Sequence, residues 1–168
     1  MSIHGDKAAA AFLRGYNCAQ AVALAYKEEL GLDEEQVLRL SCGFGGGLSR
    51  LREVCGAFSG AVFVVGALYA TPDPACRADV YARVQDLAAR YKAANGRGSI
   101  VCRDLLGLPA GTSEAPTPAA RTDAYYKKRP CPELVRQMAD ILDAYIRENP
   151  PRVSADEKRK GLDCDATV

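Results

Sequence analysis

Seven cysteines stand in a chain of 168 residues. Their thiols could exchange with disulfides, ligate a soft metal or hold an electron-transfer centre. They fall at Cys18, Cys42, Cys55, Cys76, Cys102, Cys131 and Cys164. No spacing among them makes a CxxC redox motif, a CxxCH haem attachment or a zinc-finger pair, so no haem is expected. His4 is the only histidine and lies in an N-terminus expected to fray, which leaves no multi-histidine metal site. Any cysteine site must therefore be assembled by the fold from distant parts of the chain.

The elements that would do this read as helices, and no strand pattern stands out. Residues 6–14 are alanine-rich and end at Gly15. Asn17 caps a helix over 18–30 that Gly31 closes. Asp33 with Gln36 makes a variant of the capping box and opens a helix to about Ser41, which the run Gly43-Phe-Gly-Gly-Gly47 ends. From Cys55 to Ala70 the chain is almost wholly apolar, with Gly56, Gly60 and Ala57, Ala61 at four-residue spacing. Such a smooth face suits close helix packing at the centre of a core. Asp73 and Pro74 start a helix with Val80, Val84, Leu87 and Tyr91 as its buried stripe, and Ser99 caps a short one. Residues 109–130 read as one long connection. A helix over 132–148 buries Leu134, Met138, Ile141, Leu142 and Tyr145, while the charged tail 150–168 reads as disordered. The expected fold is all-α, a compact bundle of six to seven helices around the central Gly/Ala-rich helix, forming one domain over 1–149.

Placed on these helices, Cys18, Cys55, Cys102 and Cys131 all fall at N-termini, where free N–H groups and the helix dipole favour a thiolate. Cys76 also lies in a first turn, and its position alone does not exclude it. Cys42 ends a helix and Cys164 lies between Asp163 and Asp165, so fields oppose a thiolate at both. The bland alternative is that the cysteines are small buried hydrophobes in a helical binding or assembly module.

The charge balance removes other classes. Lys and Arg number 22 against 21 Asp and Glu, so no bulk field draws the chain to nucleic acid. Tyr125-Tyr-Lys-Lys-Arg129 reads as a solvated loop patch. The longest apolar run, 54–70, is interrupted by Ser59 and three glycines, short of the roughly 20 residues of a membrane span. No membrane insertion is expected. The N-terminus shows no secretory signal pattern, and a cytoplasmic location follows from that reading.

In order, Gly15-Tyr-Asn-Cys-Ala-Gln-Ala-Val22, Gly43-Phe-Gly-Gly-Gly47 with Arg50, Cys55-Gly-Ala-Phe-Ser-Gly-Ala61, Cys102-Arg-Asp-Leu-Leu-Gly107 and Cys131 resemble the C_GCAxxG_C_C family of redox-active proteins. The resemblance covers most of residues 8–148, with Ser49 and Arg52 standing where the family often has glycine. It implies that Cys18, Cys55, Cys102 and Cys131 are the redox cysteines, and Cys76 drops out. A related domain in split-Soret cytochromes is associated with an iron–sulfur centre, and other relatives carry selenocysteine. The resemblance thus implies redox activity of either kind: an electron carrier or oxidoreductase holding an iron–sulfur cluster or another thiolate-bound metal on the four cysteines, or a metal-free dithiol. Gly45, Gly46, Gly47, Arg50 and Gly56 would lie beside that centre. Arg50 and Arg52 either hold a thiolate or lie exposed. A redox partner is implied, and a homodimer is compatible with the chain.

Overall fold

The structure is a computed structural model that describes residues 2–118 and 120–151. Cys164 and the tail from residue 152, expected to be a bystander and a disordered segment, lie outside the described residues. The fold is all-α. Helices α1 (Ile3–Leu13), α2 (Cys18–Ala25), α3 (Lys27–Leu30) and α4 (Glu34–Ser41) lead through a single 3₁₀ turn into a short turn, α5 (Gly45–Leu48), whose Gly46 and Gly47 leave the right-handed helical region. Then follow α6 (Gly56–Tyr69), α7 (Arg77–Ala94), α8 (Cys102–Leu105), α9 (Asp123–Lys128) and α10 (Cys131–Glu148).

Local chemistry explains most boundaries. Asn17 and Asp33 each accept from the first-turn N–H groups while Gln20 and Gln36 reach back to the cap, so both helix starts are capping boxes. The expected helix over 18–30 is broken at Tyr26, whose backbone leaves the helical region and divides it into α2 and α3. Gly31 closes α3 in the left-handed conformation. Helix α9 lies in the stretch read as connection: Thr122 accepts from the N–H of Tyr125 and caps it. The short helix after Ser99 opens at Cys102, because Ser99 accepts from Val101 and donates to Asp104 without capping it.

Buried apolar side chains form one cluster with α2 and α6 at its middle. Ala19, Ala21, Val22, Ala23, Leu24 and Ala25 of α2 are all buried. Gly60 brings α6 against α2 so closely that a Cβ there would stand 2.6 Å from the carbonyl oxygen of Ala19. Helix α10 closes one side by burying Leu134, Val135, Met138, Ala139, Leu142 and Tyr145. At about 1.5–3 kcal/mol for each large apolar side chain withdrawn from water, packing rather than helix propensity pins this element.

From Ser2 onward the N-terminal segment is docked on the bundle. Ser2 caps α1, and His4 stacks on Tyr26 at 4.3 Å between ring centres. His4 also bonds Asp143 through Nδ1 at 2.5 Å and Glu29 through Nε2 at 2.8 Å. Two carboxylates and an aromatic face dock α1 where sequence reading expected mobility.

Candidate redox site

Two segments far apart in sequence pair to set the first half of the site. Val54 and Val101 form an isolated antiparallel bridge, with Cys55 N–H donating to Ile100 at 2.8 Å and Cys102 N–H to Glu53 at 2.5 Å. This clamps Cys55, at the head of α6, beside Cys102, at the head of α8. The second half comes from Cys18 at the start of α2 and Cys131 at the start of α10. Glycine permits the approach of these pieces. A Cβ on Gly47 would stand 2.6 Å from that of Cys102, and one on Gly56 would stand 3.1 Å from that of Cys18.

All four sulfur-bearing residues line a single apolar cavity of about 10 Å³, with Gly56, Leu105 and Leu134 among its walls. That volume is near the least that holds one water. Cys55, Cys102 and Cys131 are buried and Cys18 is half-buried, and all are free thiols. Cys42 is exposed on the far end of α4, and Cys76 bonds the backbone of Thr71 in the turn before α7. Of the five residues expected beside the sulfurs, Gly56 lines the cavity and Gly47 touches Cys102. Gly45 instead abuts the Asn17 side chain, and Gly46 lies near Arg50. Arg50 pairs with Glu114 rather than with a cysteine.

Helix position does not lower every thiol as sequence reading expected. Burial pushes Cys55 up to about 11, helped by Cys102, and burial also raises Cys102 against the pull of Arg52. Withdrawal from water outweighs the dipole at these two sites. Cys18 and Cys131 share a hydrogen bond, so one ionises at the other's expense. The thiolate falls on Cys131, lowered to about 7 by the Cys18 hydrogen bond and, against burial, by Arg129, Arg52 and Arg121. Cys18 keeps its proton, held up by Cys131 first and by burial second.

Two contacts to the cysteines come from other elements. Arg52 is 3% exposed, donates from Nη1 to Cys102 Sγ at 3.8 Å and from Nη2 to Glu114 at 2.6 Å, and leaves Nε without a partner. The hydroxyl of fully buried Tyr91 lies 3.7 Å from Cys55 Sγ. Leu48, Ser49, Arg50 and Arg52 all take left-handed backbone conformations, with φ of 58°, 48°, 71° and 60°. Sequence reading missed Tyr91 and Glu114. A tyrosine on an apolar stripe and a glutamate in a polar connection carry no local signal of such a role.

A family model described as "Putative redox-active protein (C_GCAxxG_C_C)" matches residues 16–145, a span that holds all four cysteines. The chain belongs to the C_GCAxxG_C_C family. No curated protein and no solved structure matches it. Membership brings the family's description as redox-active. Thiolates are also the right donors for an iron–sulfur centre. Among the described residues no group of three or more His, Cys, Asp or Glu is set to hold a metal ion. No helix among the described residues is long and apolar enough to cross a membrane.

Proposed function

We propose that this C_GCAxxG_C_C chain is a dithiol oxidoreductase in which Cys131 is the attacking thiolate and Cys18 the resolving thiol. The observation that carries the reading is that these two cysteines, at the heads of α10 and α2, line one cavity, where their ionisations shift in opposite directions. Helix α10 is 18 residues long, so its N-terminus offers the full dipole to the Cys131 sulfur. The Cys131 thiolate attacks one sulfur of a substrate disulfide, which breaks the S–S bond and expels one thiolate. Cys18 then passes its proton to the thiolate just expelled and attacks the Cys131 sulfur of the mixed disulfide, releasing the second thiolate, which takes a proton from water. The protein dithiol is oxidised by two electrons and the substrate disulfide is reduced to two thiols, one carrying each half. Cys102 and Cys55 wall the cavity as protonated thiols, held by Arg52 and Tyr91.

The test is to trap the intermediate. With Cys18→Ser the mixed disulfide on Cys131 accumulates and is seen in the intact mass, whereas Cys131→Ser forms none. A mixed disulfide that appears equally on Cys55 or Cys102 overturns the assignment. The second reading is a thiolate-bound metal or iron–sulfur centre on Cys18, Cys55, Cys102 and Cys131, favoured by the single cavity they share. Iron and sulfide assays on protein prepared without oxygen decide it. A coloured protein whose iron is lost in Cys55→Ser establishes the centre, and a colourless, iron-free one after reconstitution leaves the dithiol.

A further inference from the structure

Glu114 sits among three arginines. Its Oε2 accepts from Nη2 of Arg50 and, at 2.6 Å, from Nη2 of Arg52, while Oε1 faces Arg129 at 3.7 Å. Three cations thus share one carboxylate, and Arg52 still carries a buried, unpartnered Nε. A buried guanidinium with a free donor is an uncommon arrangement, because desolvated charge is normally fully paired. The carboxylate comes from the segment between α8 and α9. There Glu114 N–H donates to the Arg50 carbonyl at 3.1 Å, and Arg50 Nε donates to Ala115. Its side chain is 25% exposed, so the cluster can be reached from water.

We propose that Arg50, Arg52 and Arg129 are the anion-binding part of the redox site, that the disulfide it exchanges with carries a carboxylate, and that Glu114 fills this place as an internal substitute. The inference rests on the dithiol reading and adds the class of substrate to it. Geometry links the two halves. The Arg52 guanidinium touches both Glu114 and the Cys102 sulfur, and Arg129 stands two residues before Cys131. A small molecule with its carboxylate in Glu114's place therefore has a sulfur a few bonds away to offer to the cavity. Several guanidinium groups converging on one place also suit an anion, since arginine keeps its charge and binds carboxylates by charge-assisted hydrogen bonds. The exchange is that already given: the anionic disulfide gains two electrons and leaves as two carboxylate-bearing thiols, and Cys18 and Cys131 become a disulfide.

The test compares two small disulfides as oxidants of the reduced full-length protein: dithiodipropionate, which is anionic, and hydroxyethyl disulfide, which is neutral. The readout is the ratio of their rates. At low salt the anionic compound reacts about ten-fold faster, and about 1 M salt removes the difference. Glu114→Gln raises the ratio about three-fold by removing the competing charge, and Arg50→Gln lowers it by a similar factor. A ratio near one in the wild type, or one that ignores both substitutions, overturns the proposal while leaving the dithiol intact. If neither disulfide oxidises the protein, the dithiol reading fails instead. Binding of thiodipropionate, which has no S–S bond, to Cys131→Ser then judges the anion site alone. Tighter binding when Glu114→Gln is added supports it, and no binding ends it.

Discussion

Two places where the molecule buries titratable groups behave in opposite ways. At the α1 dock, His4 lies between Glu29 and Asp143, so ionisation of each partner favours ionisation of the next. His4 is raised, mainly by its hydrogen bond to Glu29, and Glu29 is lowered, mainly by His4. At the cysteine cavity the groups are alike, and one thiolate opposes the rest: Cys18, Cys55 and Cys102 are all raised, with Cys131 alone lowered. Alternating charges make a fastening. Like groups around one void make a set in which ionising one member keeps the proton on the others, and the interaction with Cys18, helped by nearby arginines, puts the charge on Cys131.

The sharpest way to break this contrast is to remove the privileged thiol. In Cys131→Ser, alkylation by iodoacetamide at pH 7 falls about fifty-fold among the cavity cysteines, because those left are protonated there. In the wild type the rate is flat above pH of about 7 and drops ten-fold per unit below it, since a lowered thiol is ionised above its own value and loses that state as pH falls through it. A variant that reacts as fast as the wild type would place the thiolate elsewhere.

The fastening should respond in stability instead. His4→Gln lowers unfolding free energy by about 2 kcal/mol, read by urea denaturation, and leaves alkylation unchanged. The loss is greatest above pH 4.5 and below pH 6.5. A raised histidine contributes fully below its unfolded value and fades as pH rises through its folded one. A lowered glutamate contributes above its unfolded value and fades as pH falls through its folded one. Wild-type and variant stabilities that differ equally at pH 5.5 and 9 would show that stacking on Tyr26, not charge, docks α1. A smaller effect tests the rim: Arg129→Gln slows Cys131 alkylation at pH 7 about three-fold, as expected for one partly exposed cation among three.

What was legible in the sequence was mainly local chemistry. Asn17, Asp33 and Gln36 announce their helix starts because the cap and its partner lie within one turn. The four cysteines stood out through their common place at helix heads and the family motifs, and they do line one cavity. Effects that depend on distant partners were not legible. For Arg52 the sequence left open a place beside a thiolate or an exposed one; it lies buried against Cys102, while its second partner, Glu114, more than sixty residues away, gave no sign. His4 looks terminal until α10 supplies Asp143. Cys55 and Cys102 read as low-pKa thiols from their helix ends, yet burial, which belongs to the whole fold, reverses the sign.

The left-handed run at Leu48, Ser49, Arg50 and Arg52 places a pull on the sequence itself. A residue with a Cβ gives up roughly 1–2 kcal/mol in that conformation, and glycine, for all its entropy in the unfolded chain, recovers part of it. Ser49→Gly should therefore stabilise the protein by about 0.5 kcal/mol in urea denaturation. Arg52→Gly would relieve the same strain and at once remove the guanidinium that joins Cys102 to Glu114. At position 52 the comfort of the backbone and the reach of the guanidinium therefore pull in opposite directions, and this chain, with arginine there, carries the strain.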